Sequence, residues 1–301
     1  MSAADLTVLQ RPNDRLRRRR MVNRGMEVLA WLAAAIAVGL LGIVVWSVAK
    51  KGAGALNLDL LTKGQNPAAA FLPNVSQGLA NAFAGTLVIV GLATLMALPV
   101  GILVAIYVNE FAPGVVRKGV GLTLDVLNGI PAIVIGIFVF GLLVLGHGES
   151  GFAGAFALAV LMLPLVARTS IEVLALVPGS LREASLGLGV PRWRTTLGIV
   201  LPQAVGGILT GAVLAVARVA GETAPLILTS AVGVSNSPAW NPTHALQSVP
   251  VAIFELSDQP LPSQHTQAWA AAFVLLMFIL VTSLTARWLA TRSRRKIQRA
   301  A

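Results

Sequence analysis

Two arginines in this sequence each stand four residues before a glutamate inside long uncharged stretches: Arg168 with Glu172, and Arg218 with Glu222. The second pair is the more isolated, since residues 195–217 before it and 223–254 after it carry no charge. An ionisable group at bilayer depth costs about 2.5–3.5 kcal/mol on insertion scales, so a chain keeps one there for a reason. Residues at i and i+4 share a helix face, so each pair can be a self-neutralising ion pair that makes its helix insertable. The sharper reading is a polar pathway for an anion. Gly221 and Pro225 bracket Glu222. Proline removes a helix hydrogen bond, and broken backbone is tolerated at membrane depth where it lines a cavity. This predicts a kink or break there, opening onto the pathway, with simple helix packing as the alternative. Asn128-Gly129-Ile130-Pro131 forms a second break, assigned to packing or pathway shape.

The elements that must position these residues follow from composition. The chain has 301 residues, 56% hydrophobic and only 12% charged, against about 25% charged in a soluble domain. It is an all-α, polytopic membrane protein. Six stretches are long enough to span at about 20 apolar residues each, at about 28–49, 82–108, 126–146, 152–176, 197–221 and 266–286. None alternates apolar and polar residues in the manner of a transmembrane barrel. The expected organisation is a basic tail over 1–26, a six-helix domain over 27–290 with a loop at 177–196 between the fourth and fifth spans, and a basic tail over 291–301. A signal peptide ending near Ser47-Val48-Ala49 is the other reading of the first span. Its 22-residue apolar run exceeds the usual 7–15, which favours a retained anchor. Residues 109–124 read as a turn, and His244 to Leu256 as a short helix at the membrane surface.

Net charge is +11, but its distribution argues for orientation rather than nucleic acid. Lys and Arg cluster before the first span, after the last, and in the loops 109–124 and 177–196, while the opposite loops hold only Lys50, Lys51 and Lys63. This places both termini in the cytoplasm, with the basic tails against anionic lipid headgroups. There is no cysteine, which excludes disulfides. No Gly-Lys dipeptide of a P-loop occurs, and the histidines His147, His244 and His265 lack metal-ligand spacing. The chain is therefore expected to be no enzyme and to bind no metal or cofactor. Energy for uphill transport would come from another subunit or an ion gradient.

The loop Ser180 to Pro202 carries a pattern: Glu183-Ala184-Ser185, three residues, Gly189, nine residues, then Ile199-x-Leu201-Pro202. A short helix of small residues can dock into a partner's groove, and Gly187 and Gly189 let the chain turn and end that helix. An amphipathic helix resting on lipid headgroups is the bland alternative. The pattern resembles the EAA signature of ABC-importer permeases, with Ser185 in place of the second alanine. The resemblance implies the type I ABC importer permease fold, with a cytoplasmic coupling helix that inserts into an ATPase subunit through Glu183, Ala184, Ser185, Gly187 and Gly189.

The stretch Arg218-x-x-Gly221-Glu222-Thr223-Ala224-Pro225-Leu226 is similar to a motif of phosphate ABC permeases of the A type, and the likeness extends over most of residues 79–285. It implies import of inorganic phosphate, a homologous C-type permease as heterodimer partner, two ATPase subunits that bind ATP and Mg, and an external phosphate-binding protein, in a prokaryotic cell membrane. Guanidinium suits phosphate because it is planar, always charged and offers paired donors. Arg218, Glu222 and Thr223 then line the substrate path. Glu222 can accept the phosphate proton, orient Arg218, or cancel charge when the site is empty. By the same resemblance Arg168, with Glu172, is a second contact or a gate. Gly129, Pro131, Gly221 and Pro225 break the helices. A permease for another oxyanion such as sulfate or molybdate, and an ATP-independent anion transporter, are the rival readings.

Overall fold

A computed structural model describes residues 14–65, 78–231 and 240–300. Among the described residues every regular element is helical. The chain divides into two compact units, Met1–Lys50 and Lys51–Ala301. The described residues of the first unit all belong to helix α1, Asp14–Ala53. At 1.5 Å per residue its 40 residues reach about 60 Å, twice the hydrocarbon thickness. The expected span 28–49 sits within it, and the basic stretch from Arg15 onward is helical.

The second unit contains a short helix α2 (Leu58–Thr62), α3 (Ala80–Ile106), α4 (Gly114–Gly129), α5 (Ala132–Val139), α6 (Gly151–Ala175), α7 (Gly179–Gly187) and α8 (Arg192–Thr195). It continues with α9 (Leu201–Val219), α10 (Ala224–Thr229), α11 (Val249–Ser257) and α12 (Pro262–Ala300). A wider π-helical turn over Tyr107–Phe111 extends α3, another over Phe140–Val144 extends α5, and a third over Thr196–Val200 joins α8 to α9. Among the described residues five helical runs are long and apolar enough to cross a membrane. A sixth run is long and apolar enough only when α4 and α5 are taken together with the π-helical turn after α5, and the axes of that pair differ by 94°.

That pair corrects the expectation of a single span at 126–146. Pro131 donates no hydrogen bond and pushes the residue before it out of the helical region. Ile130 accordingly sits at φ −70, ψ 129, and its amide donates only to Leu127 O at 3.3 Å. The expected turn over 109–124 also shrinks, because α4 starts at Gly114 directly after Ala112-Pro113. The helix expected from His244 starts at Val249 instead, where Ser248 Oγ accepts from Val251 N. It does not lie free at a surface: Val249, Val251, Ala252 and Leu256 are buried. Thr86 Oγ1 on α3 accepts from Val249 N at 2.8 Å.

Helix α6 is the hub. In its most apolar window 61% of residues are buried, against 28% for the α3 run and 17% for α12. Between membrane helices association depends on close van der Waals approach, which small residues permit. Gly101 on α3 faces Val166 on α6, and Gly207 and Gly211 on α9 face Val173 and Thr169 on α6. Ala93, Ala97, Ala155 and Ala215 fill the layer between, around Leu158 and Met162. A Cβ at Gly101 would lie 2.8 Å from Val166 Cγ1 and 3.2 Å from the backbone of Ala167, whereas a Cβ at Gly119 on α4 would meet nothing. The same substitution should therefore act with opposite signs. We expect Gly101→Ala to lower the melting temperature of the detergent-solubilised protein, through overpacking of about 1–3 kcal/mol. Gly119→Ala should leave it equal or higher, because alanine favours a helix interior by up to about 1 kcal/mol.

Candidate functional site

Arg168 lies on the continuous helix α6, so Glu172 one turn later stays on its face. Arg168 Nε is 3.5 Å from Glu172 Oε1, and Nη2 is 3.7 Å from Asp125 Oδ1 on α4. These groups are 41–66% exposed, so each pair contributes little, about 0–1 kcal/mol. Their effect is to neutralise Arg168 and tie α4 to α6. Asp125 was missed in the sequence, where it is a lone carboxylate at the edge of the expected third span.

Arg218 has the same spacing to Glu222 and a different outcome. Helix α9 ends at Val219, and the chain turns through residues 220–223 before α10 begins. Gly221 N donates back to Arg218 O at 3.1 Å and Glu222 N to Val219 O at 3.1 Å, tightening the last turn. The i, i+4 relation needs continuous helix, so Glu222 leaves the face of Arg218. Among the described residues no ion pair or side-chain hydrogen bond engages either group. Arg218 is exposed, while Glu222 and Thr223 are half-buried. A cation in the last turn of a helix is favoured by the partial negative charge there. A Cβ on Gly221 would make only ordinary contact, 3.6 Å from Arg218 O, so packing does not require glycine. Pro225 is buried in the first turn of α10, its Cα 2.8 Å from where a Cβ on Gly136 of α5 would be. Gly129 has open space where a Cβ would go, and Pro131 sits at the α4–α5 bend.

The two arginines lie at different levels of one helix pair. Thr169 meets Gly211 and Val173 meets Gly207, so α6 and α9 run antiparallel. In that register Arg218 is level with Met162, six residues from Arg168, or about 9 Å along the axis at 1.5 Å per residue.

Helix α7 carries the loop motif. Its C-terminus closes with Gly189 N donating to Leu186 O at 2.9 Å and Val190 N to Ser185 O at 3.2 Å, with Gly189 at φ +80. This Schellman ending needs a left-handed residue, which explains glycine at 189. Gly187 is the last helical residue. Glu183 and Ala184 are exposed, whereas Ser185 is buried against Thr195 of α8, their hydroxyls 2.8 Å apart. The sequence reading missed the strongest polar contact here. Arg182 Nη2 donates to Glu110 Oε1 at 2.8 Å and to Leu174 O at 2.9 Å. Arg182 Nε reaches both Glu110 oxygens at 3.1 and 3.2 Å, and Nη1 donates to Val177 O at 2.6 Å. Its only sequence signal was a glutamate in a stretch read as a turn. No group of three or more His, Asp or Glu placed to hold a metal occurs among the described residues.

At the opposite end of α3, Asn81 Nδ2 donates to Gln247 Oε1 at 3.0 Å, and Gln247 Nε2 donates to Glu255 Oε2 at 2.8 Å. Burial pushes the Glu255 carboxyl above its ordinary value of 4.5, and the Gln247 hydrogen bond offsets part of the shift. A carboxyl raised on folding binds more protons folded than unfolded. Its contribution is therefore present at low pH and is lost as pH rises from about 4.5 through the raised value. Glu255→Gln should flatten that decline in a melting-temperature series from pH 4 upward, and a decline of unchanged slope would contradict it.

Comparison with known proteins adds what geometry does not carry. The family profile described as binding-protein-dependent transport system inner membrane component matches residues 97–295. The chain is 38% identical over 275 residues to a Haemophilus influenzae protein named phosphate transport system permease protein PstA, covering 89% of this chain and 94% of that one. It is 42% identical over 224 residues to phosphate transport system permease protein PstA 1 of Mycobacterium tuberculosis, 72% of each chain. Among solved structures it is similar to a bacterial ABC transporter involved in the import of the acidic polysaccharide alginate. That match has a TM-score of 0.63 at 18% identity, over 92% of this chain and 99% of that one. An inward-facing MetNI methionine ABC transporter gives a TM-score of 0.56 at 17% identity, over 71% and 93%. At such identities the likeness is one of fold.

Proposed function

The chain belongs to the family of binding-protein-dependent transport system inner membrane components, and from that premise we propose that it is the permease subunit of an ATP-driven importer of inorganic phosphate. It is a multi-pass membrane protein, and its relatives carry the name of phosphate transport permeases over most of its length. It works as part of a transporter complex. We assign it a homologous C-type permease as heterodimer partner, two ATPase subunits and an external phosphate-binding protein. The distribution of Lys and Arg supports both termini facing the cytoplasm, and the bacterial relatives support a prokaryotic cell membrane. ATP and Mg belong to the ATPase partners, and this chain supplies no catalytic group.

The observation that carries the reading is Arg218, an exposed guanidinium at the end of a span with its spacing partner turned away by the helix break. A cation without a built-in counter-charge is suited to meet a passing oxyanion. The site must also release what it binds, and one forked contact is weak enough for that. Glu222 and Thr223, half-buried at the break, supply an acceptor for the phosphate proton and a hydroxyl. Arg168, already shared between Glu172 and Asp125, is the second station, where phosphate competes with carboxylates. Glu183, Ala184 and the exposed Gly187 form the α7 face that meets the ATPase. Alternating access follows if ATP binding favours one arrangement of α7 over another through differential contacts.

Labelled-phosphate uptake by the assembled complex tests this. Arg218→Ala should reduce uptake roughly ten- to a hundredfold, the loss expected for one charge-assisted hydrogen-bonded contact, while ATP hydrolysis and assembly persist. Uptake near the wild-type rate would remove Arg218 from the path. Excess unlabelled phosphate should suppress uptake, and excess sulfate or molybdate should not.

A further inference from the structure

Helix α7 is held by two side chains three residues apart, neighbours on one helix face, that reach different partners. Arg182 joins α7 to two neighbours at once: Glu110 on the turn that ends α3, and the carbonyls of Leu174 in the last turn of α6 and of Val177 just after it. Arg182 is 23% exposed and Glu110 10%. Ser185, one turn on, meets Thr195 of α8 through one neutral hydroxyl pair. Charge-assisted and forked bonds are shorter and stronger than neutral ones. The grip toward α3 and α6 is therefore stiff, and the grip toward α8 and α9 is compliant.

Local stability of α7 does not require the stiff grip, since the helix ends in its own Schellman turn and begins after Pro178. The clamp does something the caps do not, which is to fasten α7 to the central helix pair. Glu110 is also the one carboxylate among the residues lining a cleft of about 470 Å³ that includes Arg117, Arg182 and Arg192. Arg117 donates to the carbonyls of Val108 and Asn109, and Asn109 Nδ2 donates to Ile171 O at 2.9 Å, which further stitches the end of α3 to α6. Arg168 lies on α6 six residues before Leu174, about 9 Å along the axis. A displacement of α7 thus reaches α6, and with it Arg168, through this clamp, which acts beside the short link at residues 176–178 and the packing of Leu181 on the cluster that holds Leu174.

We propose that the Arg182–Glu110 clamp is the joint through which α7 drives the α3–α6 pair, which makes Arg182 and Glu110 positioning residues for transport. The inference rests on the reading of α7 as the element that meets an ATPase. The experiment reads phosphate taken up per ATP hydrolysed by the complete transporter in proteoliposomes, for wild type, Arg182→Gln, Glu110→Gln and Arg182→Lys. Lysine keeps the charge and loses the fork, so it guards against failure of the Gln variants to assemble. The expected result is a ratio about tenfold lower or less in assembled Gln variants, within the 5–150-fold range of ordinary coupling energies, with Arg182→Lys between them and wild type. A Glu110→Cys/Arg182→Cys pair, in a chain that has no other cysteine, should recover the ratio when bridged by a thiol crosslinker of arginine-like reach. An unchanged ratio in the variants, hydrolysis and uptake falling in equal proportion, or no recovery on bridging would each overturn the joint. Absence of wild-type uptake in the same vesicles would reject the phosphate-importer reading instead.

Discussion

In hydrocarbon no solvent completes a hydrogen bond, so each backbone amide and carbonyl must find its partner within the protein. The helical architecture follows from that constraint, and so do the places where helices stop. At residues 220–223 the amides of Gly221 and Glu222 fold back onto carbonyls of the last turn of α9. Where the chain returns toward α11, Ser230 Oγ donates to Leu246 O and accepts from Leu246 N. At the end of α6 two carbonyls are capped by Arg182. Each interruption is supported locally, and each supported interruption exposes a feature that regular helix would hide.

Close approach of helices provides the rigid part of the molecule. Glycines at 101, 207 and 211 bring α3 and α9 against α6, and the buried Met162 and Leu158 fill the space between. Because α6 and α9 run antiparallel in this register, arginines 50 positions apart in sequence become two levels along one helix pair. The bends carry a second connection. Pro225 at the start of α10 is seated against Gly136 just beyond the α4–α5 bend, so the two breaks support each other.

The charges divide along the same line. Where the helix is continuous, Arg168 is neutralised by Glu172 and by Asp125 from a neighbouring helix. Where it is broken, Arg218 keeps its charge unmatched among the described residues. Identical i, i+4 spacing therefore gives a paired cation in one place and an unpaired one in the other. For an anion carrier the difference matters, since a neutralised arginine yields its donors only to a competitor and an unmatched one offers them directly.

The sequence by itself determined the class of protein, since apolar runs of about 20 residues without the alternation of a barrel leave only helices open to it in a membrane. Its motifs were also legible, from the Arg218 stretch to the glycines that end α7, because each rests on local backbone chemistry within a few residues. What only the tertiary structure decided involves partners far apart in the chain. Glu110 and Arg182 are 72 residues apart, and no local rule marks a glutamate in a turn as the partner of a particular arginine. Asp125 reaches Arg168 only because α4 is packed on α6. The 94° bend of α4 against α5 was legible as a break at Pro131, but its angle is not, since proline removes a hydrogen bond without setting where the next helix must pack. Whether a spacing of four becomes an ion pair was legible only in part: Gly221 and Pro225 marked the break at Glu222, whereas the second partner of Arg168, Asp125 on α4, is set by packing.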